Sequence, residues 1–107
     1  LINPSSADFF SVEGDIEDHA SNLPLAASKA LRLVDNLRWM VGMEALYAAQ
    51  AVDLRGDIRL GKYTQAAYAA IREAIPTMDE NRAVSGDLHR AYELIRSGVL
   101  LDRIRAL

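Results

Sequence analysis

Leu23-Pro24-Leu25-Ala26-Ala27-Ser28-Lys29-Ala30-Leu31-Arg32-Leu33-Val34-Asp35-Asn36-Leu37-Arg38-Trp39-Met40-Val41-Gly42-Met43-Glu44-Ala45-Leu46-Tyr47-Ala48-Ala49-Gln50-Ala51-Val52-Asp53 decides the fold of this 107-residue chain. After Pro24 nothing in it stops a helix. Alanine, leucine, methionine and lysine or arginine dominate, all good helix formers, and Gly42 is the one weak position, worth roughly 1 kcal/mol against alanine. Ser21 or Asn22 supplies an N-cap, and Pro24 falls in the first turn, where its missing N–H costs nothing. The pattern predicts a helix over about 22–53, a rod of roughly 46 Å at 1.5 Å per residue.

Its first half is amphipathic, with Lys29, Arg32, Asp35 and Arg38 on a polar side. From Trp39 to Val52 it is apolar on nearly every face, which predicts burial on all sides. The rest of a 107-residue chain cannot surround such a rod. Partners are therefore expected from other copies, making a homo-oligomer through the long helix, or from a further part of the same protein. Gly42, Ala45, Ala48, Ala49 and Ala51 allow neighbouring helices to approach closely.

Downstream, Arg55-Gly56-Asp57-Ile58-Arg59-Leu60-Gly61-Lys62 reads as a loop, its Arg-Gly-Asp most simply a turn. A second helix is expected over about 64–75, with Tyr63, Ala67, Ala70, Ile71 and Ala74 on one stripe and Pro76 ending it. A third is expected over about 85–97, with Leu88, Ala91, Tyr92 and Ile95 as its stripe and Gly98 as its C-cap. The last residues read as a short turn or a frayed end. The fold class is all-α, one long central helix with two shorter ones, preceded by a loop segment over 1–21.

That loop segment is the candidate for chemistry. Residues 1–24 hold five acids and no lysine or arginine, whereas residues 25–107 hold ten acids against twelve bases. A net charge of −3 gives no reason to expect nucleic acid as a partner. No apolar run is long enough to span a membrane. There is no cysteine, which excludes disulfides and thiol chemistry and suits a reducing, cytoplasmic setting. The chain starts at Leu1 without the pattern of a signal peptide, as expected of part of a longer protein.

Glu17, Asp18 and His19 are consecutive, so one functional carboxylate is expected rather than a matched pair. Acids near a helix start also interact favourably with its dipole without any catalytic role. No metal site is expected: His19 has no second histidine at i+4, and Asp15-Ile16-Glu17-Asp18 lacks the glycine and spacing of a calcium loop. Tyr47, Tyr63, Tyr68 and Tyr92 read as core or interface aromatics, and His89 as solvated.

Four stretches in order resemble the C-terminal part of the histidine ammonia-lyase family, within the aromatic amino-acid ammonia-lyases and aminomutases. They are Glu17-Asp18-His19-Ala20-Ser21, similar to the family's Gln-Glu-Asp-His-Val-Ser segment; Glu44 to Arg55; Leu60 to Tyr68 with Ile71, Arg72 and Pro76; and Leu94 to Leu101. The resemblance implies a helical-bundle enzyme that eliminates ammonia from histidine or a related aromatic amino acid without oxidation, giving an α,β-unsaturated acid. It implies Glu17 as the site residue, contacting substrate or tuning a base. It also implies a homotetramer with composite sites, and an electrophilic methylidene-imidazolone (MIO) group formed from Ala-Ser-Gly. Here Ala20-Ser21 is followed by Asn22 and Ala27-Ser28 by Lys29, so the group is expected from residues outside this chain, and the 107 residues alone are expected to be inactive. Ile16 and Asp15 stand where the histidine enzymes usually carry Gln and Asn, which leaves the substrate open. The alternative of a different class is a self-standing helical oligomerisation or scaffolding module without catalysis.

Overall fold

The computed structural model describes residues 3–4, 11–12, 17–19 and 22–107, with the backbone alone for 11–12 and 17–19. The described residues form two short strands, β1 (Ser11–Val12) and β2 (Glu17–His19), and four helices: α1 (Leu23–Arg55), α2 (Lys62–Ala74), α3 (Ser85–Ser97) and α4 (Val99–Arg105). The chain divides into two compact units, Leu1–Asn36 and Leu37–Leu107.

In the first unit β1 and β2 pair antiparallel. α1 begins one residue after Asn22, whose φ of 49° is left-handed and whose carbonyl accepts the Ala26 N–H at 2.9 Å. Asparagine tolerates that conformation better than most residues. Ser21, the other expected cap, lies outside the described residues. Lys29 Nζ donates to the Asn3 carbonyl at 2.5 Å.

The second unit is built on the rest of α1, which runs to Arg55, two residues past the expected end, and stops where Gly56 adopts φ 80°. α2 starts two residues earlier than expected because the Gly61 carbonyl accepts the Gln65 N–H at 2.8 Å. It ends at Ile75, extended at φ −133° and ψ 114°, the conformation a following proline favours. α3 matches its expected bounds, and Gly98 caps it at φ 81°.

The main difference lies at the C-terminus. Val99–Arg105 is a helix rather than a frayed end. Leu100 packs on the core, Arg103 pairs with Glu73 of α2 at 2.8 Å, and Lys62 Nζ donates to the Leu107 carbonyl at 2.7 Å. Helix propensity over seven residues could not hold this element without such contacts.

The core is made of small and branched residues: Ala49 of α1, Ala70, Ile71 and Ile75 in and after α2, and Ala91 of α3. Ala45, Leu46, Tyr68, Ala74, Leu94 and Leu100 close around it. Buried Gly42 faces the backbone of α3, where an added Cβ would lie 3.0 Å from Ala91 C and Tyr92 N and 3.1 Å from Ala91 O. Backbone cannot swing aside as a side chain can. Gly42→Val is therefore expected to destabilise the protein by about 1–3 kcal/mol, despite valine's better helix propensity than glycine's. A melting temperature equal to that of the unaltered protein would refute the close approach.

α1 is not enclosed on all sides by the described residues. Gly42 and Ala49 are buried, but Leu37, Met40, Val41, Glu44, Tyr47, Ala48, Ala51 and Leu54 are exposed, Tyr47 by 64% and Leu54 by 80%. Their spacing of three and four residues puts them on one face. Glu44 is the only charge in it.

Candidate active-site segment and the Asp53 cluster

Glu17, Asp18 and His19 constitute β2. Val12 is the partner of Glu17 and Ser11 the partner of His19, so the pairing register shifts between the two. Asp15 and Ile16, the departures from the family pattern, lie outside the described residues. Among the described residues no three His, Asp or Glu side chains converge as a metal would require, and no helix is long and apolar enough to cross a membrane.

A second polar constellation was not anticipated. Asp53, in the last turns of α1, accepts hydrogen bonds from the Tyr68 hydroxyl and, at 3.0 Å, from Thr77 Oγ1. It also pairs with Arg72 at 2.6 Å, and both side chains of that pair are only 13% exposed. Arg72 donates to the carbonyls of Ile75 at 3.1 Å and Pro76 at 3.4 Å. Gln50 clasps the Met78 backbone, donating to its carbonyl at 3.0 Å and accepting its N–H at 3.1 Å. Together they fasten the connector between α2 and α3 to α1.

The far end of the connector is held likewise. Arg82 donates to the Pro76 carbonyl at 3.0 Å and pairs at 2.5 Å with Asp87, which also pairs with Arg90 at 2.9 Å. Asp87 is buried and matched on both oxygens. Burial works to raise the Asp53 pKa, but hydrogen bonds from Tyr68 and Thr77 and the charge of Arg72 outweigh it and hold the carboxyl below its ordinary value. The same hydrogen bond to Asp53, helped by desolvation, raises the Tyr68 hydroxyl. The charges of Asp53 and Arg72 face each other, and of these groups only Arg72 Nε is buried without a hydrogen-bond partner, which marks a fastening rather than a reactive centre. A small cavity of about 80 Å³ beside it is walled mainly by Leu46, Tyr47, Pro76, Met78 and Leu88.

The remaining aromatics divide. Tyr92 stacks on Trp39 with centroids 4.4 Å apart, while Tyr47 and Tyr63 are exposed in this chain. His89 is exposed, yet its ring meets Trp39 edge-on at 5.0 Å and its Nδ1 lies 2.8 Å from the Ser85 carbonyl. The sequence signals for the Asp53 cluster were a carboxylate inside an apolar stretch and a tyrosine and arginine four apart on α2.

The profile of the family described as aromatic amino acid lyase matches residues 1–73. Histidine ammonia-lyase from Stigmatella aurantiaca is 41% identical over 98% of this chain, and that from Symbiobacterium thermophilum 36% identical over all of it. The chain spans about a fifth of the length of these curated relatives, 21% in each case. Among solved structures, an ergothioneine-degrading enzyme, ergothionase, from Treponema denticola is 53% identical with a TM-score of 0.83, over 94% of this chain and 20% of that one. Histidine ammonia-lyase from Trypanosoma cruzi is 29% identical with a TM-score of 0.87, over 96% of this chain and 20% of that one. The helical fold is thus shared with these enzymes, and this chain belongs to the aromatic amino acid lyase family.

Proposed function

We propose that this chain is the C-terminal helical part of a longer carbon–nitrogen lyase acting on histidine or a histidine-derived amino acid. The observation that carries this is the match of essentially the whole chain, acidic segment included, to histidine ammonia-lyases. A base removes a proton from the β-carbon, and that C–H electron pair becomes the new C=C bond. The α-carbon–nitrogen bond breaks, and nitrogen leaves with its pair as an amine. Glu17 contributes by contacting substrate or tuning that base. The family resemblance implies an MIO electrophile, which when present would activate the leaving amine. The residues of this chain cannot form it, because neither Ala-Ser pair is followed by glycine.

The same reading includes a cytoplasmic homotetramer. The exposed apolar face of α1 from Leu37 to Leu54 would be covered by another subunit, which suits a site assembled from several chains.

A second reading of the substrate is favoured by one observation: identity to the ergothionase is 53%, against 29–41% for the histidine ammonia-lyases above. Ergothioneine carries a quaternary trimethylammonium group on its α-carbon, so the same elimination would release trimethylamine instead of ammonia. The test supplies the full-length protein with histidine and with ergothioneine, following absorbance of the unsaturated acid and identifying the amine. Ammonia from histidine supports the first substrate, and trimethylamine from ergothioneine the second. Release of neither, together with no turnover across the other aromatic amino acids, would overturn the lyase reading.

A further inference from the structure

In an unbroken antiparallel ladder, pairing Val12 with Glu17 would place Ser11 opposite Asp18. Ser11 instead pairs with His19. Asp18 is therefore one residue too many on β2, the two-against-one arrangement of a β-bulge, on a ladder of only two residues against three. The extra residue changes parity. Residues two apart on a regular strand occupy the same face. Here Glu17 and His19 pair with adjacent residues of β1, so their register positions fall on opposite faces of the ribbon. A bulge also increases local twist and bends its strand, and such features recur beside active sites, where they re-aim one residue. A ladder this short is only weakened by the loss of a regular pair.

We propose that Asp18 is a positioning residue, and that the bulge it creates keeps His19 off the face from which Glu17 serves the substrate. This rests on the assignment of Glu17 to the site made above.

Insertion of one glycine between Ser11 and Val12 gives Asp18 a partner, restores the regular ladder and returns His19 to the face of Glu17. In the full-length enzyme the insertion is expected to lower kcat at least 30-fold, with KM within threefold and the melting temperature unchanged. Asp18→Ala keeps the two-against-one pairing and should retain most of the rate, to within about fivefold of the unaltered enzyme. His19→Ala, off the face that serves the substrate, should stay within threefold, which tests the proposal even where the insertion variant does not fold. The inference is overturned if the insertion variant folds and turns over normally, if Asp18→Ala is as damaging as the insertion, or if His19→Ala loses more than tenfold. Glu17→Gln separates the two failures. If it retains turnover, the Glu17 assignment falls and this inference with it; if it is inactive while the insertion variant is active, the bulge alone falls.

Discussion

Asp53→Ala should lower the unfolding free energy by about 2–4 kcal/mol, because it strips a largely buried guanidinium of its counter-charge. Arg72 would keep its bonds to the Ile75 and Pro76 carbonyls but lose the carboxylate at 2.6 Å. Its Nε is already buried without a hydrogen-bond partner, so the loss adds to a donor that is unsatisfied from the start. Tyr68 and Thr77 would each lose an acceptor as well. Adding Arg72→Met should return part of the loss, since removing both charges leaves nothing uncompensated. Strict additivity of the two substitutions in urea or thermal unfolding would show that the pair is not coupled.

The pH dependence has a definite sign. Asp53 titrates below its ordinary value when folded, so its contribution is complete above that value, near pH 4, and fades as pH falls through the lowered one. Tyr68 is raised, so its contribution is complete below about pH 10 and fades as pH climbs through the raised value. The difference between Asp53→Ala and the unaltered protein should therefore be flat from about pH 5 to 9 and shrink on either side. A difference that peaks within that window would point to another titrating group.

How much of this was visible in the sequence depends on the range of the interactions. α1 and α3 are written locally, in helix formers without interruption, in Pro24 early in the first turn, and in Gly98 at a left-handed cap. α4 escaped because it is held by Leu100 on the core and by Arg103 reaching back 30 residues to Glu73. The Asp53 cluster escaped for the same reason, its partners lying 15, 19 and 24 residues downstream in elements whose docking no local pattern records. The bulge depends on the register between two strands too short to show alternation. Expected burial all around α1 followed from composition, and the described residues supply only the Gly42 and Ala49 side of it. The acidic segment was legible as a candidate, but its physics alone did not separate catalysis from helix-start electrostatics. The ordered resemblance downstream of it is what makes Glu17 the proposed site residue.

These separate observations assign different work to the two polar regions. Asp53, Arg72 and Gln50 bind the connector to α1, and every charge in that group faces a partner. They should set stability and leave the rate of a folded enzyme nearly untouched. The segment at Glu17 should behave in the opposite way.

Glu17→Gln in the full-length enzyme is accordingly expected to lower kcat by about 10²-fold or more while the melting temperature and subunit assembly stay as they were. Glutamine preserves length and shape and removes only the charge, so a loss of that size, about 2.7 kcal/mol of transition-state stabilisation, would belong to the carboxylate itself. If Glu17 tunes the base, the acidic limb of the kcat/KM profile should move or vanish in the variant. If it only binds substrate in the ground state, KM should rise with kcat preserved. Glu17→Asp keeps the charge but withdraws it by one methylene, and should fall between the two because proton transfer and orientation tolerate little misplacement. Unchanged kcat and unchanged KM in Glu17→Gln would remove this residue from the site, and the acidic segment would then revert to the electrostatics of a helix start.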